Sequence, residues 1–276
     1  MLISIFSPSF DFADNLNWFS YENVDQLQVG ELQKLLEFDP NPQMRSVAEL
    51  KRLAGLKSGG HFRLADWEWE SADKSQFVED FKNLQSKIQQ KELEKAVPLT
   101  FEKVQRAPDG DLKKKILHRL LSAPLDQVPY GIWDERGGML GCTPEQFFRK
   151  SGHQLTTMAL AGTRPSEEAR SLLDDPKEMK EHALVVESLQ RVLSNLGDVI
   201  VGKTYEWDLG LITHLRTDIS VELSQDVALD ELVQKLHPTP ALGGAPTTAA
   251  YEWLNTLPSA SLRQKYGAPF GYVDEE

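Results

Sequence analysis

At 276 residues, with 40% hydrophobic and 26% charged side chains, the chain has an ordinary globular composition and enough length to bury one large core or two smaller ones. A net charge of −12 argues against nucleic acid or an anionic membrane surface as the main partner, since both require a basic face. Cys142 is the single cysteine, which excludes an internal disulfide and a cysteine-rich metal site and fits a small packed hydrophobe in a reducing compartment.

Residues 1–72 carry no readable motif, with Pro40, Pro42, Gly55, Gly59 and Gly60 marking turns, and are expected to pack on a main domain spanning 73–276. The amino-terminal Met1-Leu2-Ile3-Ser4-Ile5-Phe6 lacks the basic region of a signal peptide, and no apolar run reaches the ~20 residues that span a bilayer. A cytoplasmic location without membrane association is therefore expected.

From Asp73 the pattern sharpens. Phe77, Phe81, Leu84 and Ile88 recur at helical spacing, with Asp73 as N-cap and Gln76 three residues on. Ala96-Val97-Pro98-Leu99-Thr100-Phe101 reads as a strand start or edge strand because of Pro98. A second helix carries Leu112, Ile116, Leu117, Leu120 and Leu121. Two hairpins follow, one from Tyr130 to Cys142 around Arg136-Gly137-Gly138 and one from Phe147 to Leu160 around Ser151-Gly152. Thr143 and Pro144 read as the N-cap and first residue of a short helix.

A long helix is predicted over about 177–196, with Val185, Leu189, Val192 and Leu196 on one face and Gly197 as its stop. Val199 to Val201 and Leu209 to Leu223 read as strands, and Leu229 to Leu236 as a helix. Hairpin-paired strands with helices inserted between them predict an α+β fold of layered antiparallel sheets with helices packed outside, not a parallel βαβ fold. There is no Walker A motif, no dinucleotide-binding glycine pattern and no His-Glu-x-x-His.

Several residue types could carry chemistry. Glu178 and Glu181 stand three apart, so both carboxylates project from one face of a helix start, as hard oxygen ligands for Mg2+ would. On pattern alone they equally describe a solvated helix start whose acids complement the macrodipole. Lys95 precedes an apolar strand and is a candidate base or an ordinary surface lysine. Glu145 is a candidate acid or a plain first-turn glutamate, and His214 is a lone strand histidine of the kind usually hydrogen-bonded in a core. Gly243 and Gly244 permit close backbone approach to a ligand, as any pair of turn glycines would.

Three segments, taken in order, resolve these alternatives: Thr157-Met158-Ala159-Leu160-Ala161-Gly162-Thr163-Arg164-Pro165, Lys177-Glu178-Met179-Lys180-Glu181-His182, and His237-Pro238-Thr239-Pro240-Ala241-Leu242-Gly243-Gly244. Together they resemble the chorismate-utilising enzymes, which include isochorismate, salicylate, anthranilate and aminodeoxychorismate synthases. The resemblance covers about 73–276. It implies that Glu181 is a Mg2+ ligand with Glu178 beside it, that Lys95 is the base activating water, and that Glu145, in a variant of the family's Ser-Pro-Glu-x-Phe segment with Thr143 for serine, is the general acid.

Ala161 stands where aminodeoxychorismate synthases have a nucleophilic lysine, so the nucleophile is expected to be water or ammonia. The His-Pro-Thr-Pro-Ala loop has the wording of isochorismate synthases. Gly244-Ala245-Pro246-Thr247 lacks the lysine of the corresponding anthranilate synthase segment. The resemblance thus implies Mg2+-dependent conversion of chorismate to isochorismate, by water attack at C2 and loss of the C4 hydroxyl. Ala161, Gly162, Thr163, His214, Gly243 and Gly244 would line the substrate.

A monomer without a glutamine amidotransferase partner is expected, and the choice between menaquinone and siderophore pathways stays open. The alternatives are a salicylate synthase, another chorismate-utilising enzyme or a non-catalytic relative. Tyr266-Gly267-Ala268-Pro269-Phe270-Gly271-Tyr272 resembles the family's Tyr-x-Gly-x-x-Gly-Tyr, with Ala268 for glycine. The family continues beyond this point with strands, a Gly-Ala-Gly loop and a helix bearing a second magnesium glutamate. The expectation is therefore a fold lacking those C-terminal strands and helix, with poor solubility and weak or no turnover.

Overall fold

The structure, a computed structural model, describes residues 17–20, 27–28, 44–45, 69–104, 127–134, 137–168, 170–263 and 266–269. The chain divides into two compact units. One holds Ser71–Phe101 and the described part of Gln146–Glu276, and the other the described parts of Pro8–Glu70 and Glu102–Glu145. The helix predicted over Leu112–Leu121 lies outside the described residues.

In the second unit, β1 (Asn17–Ser20), β7 (Val128–Asp134) and β8 (Gly137–Thr143) form an antiparallel sheet in the order β1-β7-β8. The β7–β8 pair is the predicted hairpin. Two small antiparallel pairs accompany it: β2 (Leu27–Gln28) with β3 (Met44–Arg45), and β4 (Trp69–Glu70) with β6 (Lys103–Val104). The short helix predicted after Thr143 does not form, and residues 144–148 are irregular. Thr143 Oγ1 still accepts the Glu145 N–H at 3.1 Å, so the cap chemistry makes a local turn without a helix to follow.

The first unit is built on β10 (Gln154–Pro165) and β13 (Ile212–Leu223), two twelve-residue antiparallel strands. On one side β9 (Arg149–Ser151) pairs with β10, completing the second predicted hairpin. On the other, β11 (Gly197–Val201) and β12 (Tyr205–Asp208) lie end to end along the same edge of β13. Along β13 the odd-numbered residues from Thr213 to Leu223 are buried, the period-2 alternation of a sheet with one face on the core. Helix α2 (Pro176–Leu193) covers that face with His182, Val185, Leu189 and Leu193, and α3 (Leu229–Leu236) adds Leu232, Val233 and Leu236.

A smaller cluster joins α1 (Lys74–Gln89) to α4 (Thr247–Thr256) through Leu84, Leu93, Ala250, Trp253, Leu254 and Leu257. Trp253 donates its indole N–H to Asn83 Oδ1 at 2.8 Å. Asp73 caps α1 as predicted, but Gln76 bonds forward to Asp80 instead of back to the cap. Between these helices, β5 (Lys95–Ala96) pairs with β14 (Gly244–Ala245), and a short α5 (Ala260–Arg263) follows α4. No described helix is long and apolar enough to cross a membrane.

Three boundaries depart from the pattern reading. The strand expected over 96–101 stops after Ala96; Val97 still donates to Gly243 O at 2.9 Å, and Pro98 then has no N–H to continue the ladder. The strand expected from Leu209 begins at Ile212, because Gly210 turns the chain at φ +88° with its N–H on Asp208 Oδ1, and 205–208 pairs back as a strand of its own. Helix α2 ends at Leu193, not Leu196, and Gly197 is the first residue of β11. A Cβ on Gly197 would lie 1.9 Å from Glu222 O, so this glycine admits the neighbouring strand instead of stopping a helix. Gly197→Ala is expected to destabilise the first unit by about 1–3 kcal/mol, as forced overpacking does, measured as a lower midpoint in urea denaturation.

Candidate active site

Helix α2 opens on Asp175, whose carboxylate accepts the N–H groups of Lys177 at 2.9 Å and Glu178 at 3.3 Å, with Pro176 at the first helical position. Helical spacing then sends Glu178 and Glu181 out from one face. Glu181 Oε1 meets Lys95 Nζ at 2.8 Å, the lysine arriving from β5 with its side chain only 11% exposed. Lys177 Nζ contacts Glu178 Oε1 and lies 3.6 Å from Glu181 Oε2, so one ammonium bridges both carboxylates. Burial pushes the Glu181 carboxyl up, but the hydrogen bond and charge of Lys95, with Lys177 adding to them, hold it below the ordinary carboxylate value. Lys177 is raised, chiefly by its hydrogen bond to Glu178.

The other oxygen of Glu178, Oε2, accepts the backbone N–H of Thr163 at 3.2 Å. A bulge in β10 supplies that N–H. Ala161 faces Leu215 and Thr163 faces His214, leaving Gly162 unpaired at φ +79°. A Cβ on Gly162 would sit 3.1 Å from Leu215 Cδ1 and 3.3 Å from Glu178 Oε2 in a backbone conformation that favours glycine. Thr163 Oγ1 lies 2.8 Å from His214 Nδ1, which is also 3.3 Å from Gly162 O. Since a carbonyl only accepts, protonation on Nδ1 satisfies both contacts. Burial lowers the His214 pKa, partly offset by the Gly162 carbonyl.

His182 is almost completely buried and ties α2 to the sheet. Its Nδ1–H donates to Ala161 O at 3.2 Å; its Nε2 accepts from Thr217 Oγ1 at 2.7 Å, whose oxygen lies 2.8 Å from Thr204 Oγ1. Burial lowers its pKa, the Ala161 bond opposes that shift, and the Lys95 charge adds to it. This role is readable only as an apolar-face position, since 182, 185, 189 and 193 share one helix face.

A further anchor that motif reading did not single out is Glu206 on β12. It accepts from Arg164 Nη2 at 3.3 Å, from Ser171 Oγ at 3.0 Å and from the Leu172 N–H. Leu172 O in turn accepts the Asp175 N–H at 3.1 Å, linking this anchor to the cap of α2. Nε and Nη1 of Arg164 are buried without a hydrogen-bond partner among the described residues.

The loop 237–244 reaches the site through β14. Glu94 N donates to Ala245 O and Val97 N to Gly243 O, at 2.8 and 2.9 Å. A Cβ on Gly244 would lie 2.2 Å from Lys95 O and 2.6 Å from Ala250 Cβ, and one on Gly243 would lie 3.3 Å from Pro238 Cγ. The first unit thus gathers Lys95, Glu178, Glu181, Gly162, Thr163 and His214 through direct contacts, with Ala161 buried beside them and Gly243 and Gly244 beneath Lys95. Glu145 belongs to the second unit, as an exposed residue after β8.

An antiparallel sheet backed by helices thus brings a lysine and two carboxylates together at one helix start. A profile described as chorismate binding enzyme matches residues 45–276. The chain belongs to that family. It is 28% identical over 242 residues to the salicylate biosynthesis isochorismate synthase of Pseudomonas aeruginosa, covering 84% of this chain and 50% of that protein. It is also 28% identical over 228 residues to the isochorismate synthase MenF of Bacillus subtilis, covering 75% and 46%. The solved MenF of Escherichia coli, a menaquinone-specific isochorismate synthase, shares the fold at a TM-score of 0.61 and 21% identity, covering 80% of this chain and 54% of that one. The chain spans about half the length of the curated relatives it matches.

Because the folded-state pKa of His214 lies below the ordinary 6.5, its contribution to stability is fully present above about pH 6.5 and is lost as pH falls toward the folded value. His214→Gln, which cannot take up that proton, is expected to lose less thermal stability than the parent between about pH 7.5 and about pH 5.5, read by the unfolding midpoint at each pH. Gly244→Ala is expected to destabilise by about 1–3 kcal/mol in urea denaturation and to shift Lys95 off Glu181, seen as altered protection of the Ala96 and Val97 amides in hydrogen exchange.

Proposed function

We propose that this chain acts on chorismate as an isochorismate synthase, with residues 73–276 as its chorismate-binding part. The observation that carries the reading is the Lys95–Glu181 pair: a shielded lysine meets the helix that presents Glu178 and Glu181, beside a position, Ala161, that offers no amine. The identity to two isochorismate synthases supports the same reading.

In this mechanism Lys95, once it has given up its own proton and is the neutral amine, takes a proton from the water that adds at C2 of the ring, the double bonds shift, and the C4 hydroxyl departs with a proton. Glu145 is proposed as the donor of that proton on its motif alone. Removing a proton at one end and supplying one at the other lets one hydroxyl replace another without net change in composition. Thr163, His214 and the backbone at Gly162 and Gly244 are proposed to border the substrate.

Glu181, assisted by Glu178, is proposed to hold Mg2+. Two carboxylates one helical turn apart at the start of α2 are few, hard oxygen donors of the kind Mg2+ prefers, which supports the reading. Bound there, the ion would neutralise a carboxylate of the substrate and anchor it.

Incubating the purified chain with chorismate and Mg2+, with and without ammonium, and resolving products by liquid chromatography with mass detection tests the proposal. Isochorismate is expected as the sole product in both samples, formed slowly as the sequence reading expects, with the rate lowered about 10²- to 10⁴-fold further in Lys95→Ala. Anthranilate, salicylate or aminodeoxychorismate as the product, or no conversion by folded protein, would overturn it.

A further inference from the structure

Lys177 is oddly placed for a helix start. It occupies the second position of α2, where the macrodipole disfavours a cation and Asp or Glu is the favoured residue. Its side chain is 76% exposed, so packing does not account for it. Instead its ammonium turns back onto the two carboxylates, touching Glu178 Oε1 and lying 3.6 Å from Glu181 Oε2. The remaining oxygens are taken by Thr163 N–H on Glu178 and by Lys95 on Glu181. Lys177 is therefore the exposed, flexible member of a chain of charges that runs from Lys95 through Glu181 to Glu178, and the one whose head group can leave into solvent without moving the backbone.

Resting on the reading of Glu181, assisted by Glu178, as the Mg2+ site, we propose that Lys177 is a built-in competitor for the metal: its ammonium holds the carboxylate pair together without Mg2+ and must swing out before the ion can bind. The arrangement has two consequences. The acidic pair is kept from repelling itself apart in the metal-free protein, so the site stays formed. Metal affinity is set lower than the two carboxylates alone would give, because each binding event displaces a tethered cation.

The test is isothermal titration of the metal-stripped 276-residue chain with MgCl2 at constant ionic strength. Four proteins are compared: the parent, Lys177→Met, Lys180→Met and Glu181→Gln. Lys180 is on the same helix, exposed, and makes no ion pair among the described residues, so its removal reports the general effect of one fewer positive charge. Lys177→Met is expected to bind Mg2+ about fivefold more tightly than the parent, and clearly more tightly than Lys180→Met. Binding seen only in Lys177→Met supports the proposal in the same way.

Equal affinities in Lys177→Met and Lys180→Met, with Glu181→Gln abolishing binding, would overturn the competition while leaving the Mg2+ site standing. No binding in any variant, or binding untouched by Glu181→Gln, would overturn the Mg2+ reading and the competition with it.

Discussion

The contact on which the site depends is the buried imidazole of His182, held between Ala161 O and Thr217 Oγ1. A helix lying on a sheet through aliphatic side chains alone can rotate or slide by small steps at little energetic penalty, because dispersion is non-directional. A hydrogen-bonded ring with both nitrogens satisfied cannot. Leaving either nitrogen unpaired in the interior costs about 1–3 kcal/mol, so α2 is fixed in rotation and register against β10 and β13. Glu181 is the residue just before it and Glu178 lies one turn earlier, so their direction follows from where His182 is locked.

The electrostatics of the site are then a matter of who meets those carboxylates. The bulge at Gly162 frees the Thr163 N–H to point at Glu178, and β5 brings Lys95 to Glu181. Each donor comes from a different element: the centre strand, a two-residue strand and the helix itself. The carboxylates are therefore surrounded by groups whose positions are set independently, which is the usual way a fold maintains an arrangement of charges that a flexible chain would not hold.

Much of this was legible in the residues. The alternation in 212–223, the hairpin glycines and the spacing of Val185 and Leu189 announced an antiparallel sheet with a covering helix. The ordered motifs carry the resemblance to the family whose profile the chain matches. What pattern could not supply was three-dimensional proximity. Gly197 looks like a helix stop in sequence, and only the pairing of β11 with β13 reveals that it sits against the Glu222 carbonyl. Tyr205-Glu206-Trp207-Asp208 is too short and too polar to read as a strand, yet β13 leaves an edge free for it and Glu206 becomes an anchor for the segment before α2. Thr143-Pro144 carries the letters of a helix start, but the chain beyond it does not continue as one.

The pairing of β14 with β5 limits how this site can vary. Gly244 leaves no room between its own Cα and the carbonyl of Lys95, and hydrogen bonds on either side join residues 94–97 to 243–245. The lysine's backbone and the end of the His237–Gly244 loop thus form one mechanical piece. A substitution that tilts the loop therefore also tilts the root of Lys95. The conformation of the loop is thus, in physical terms, also a setting of where the Lys95 ammonium stands.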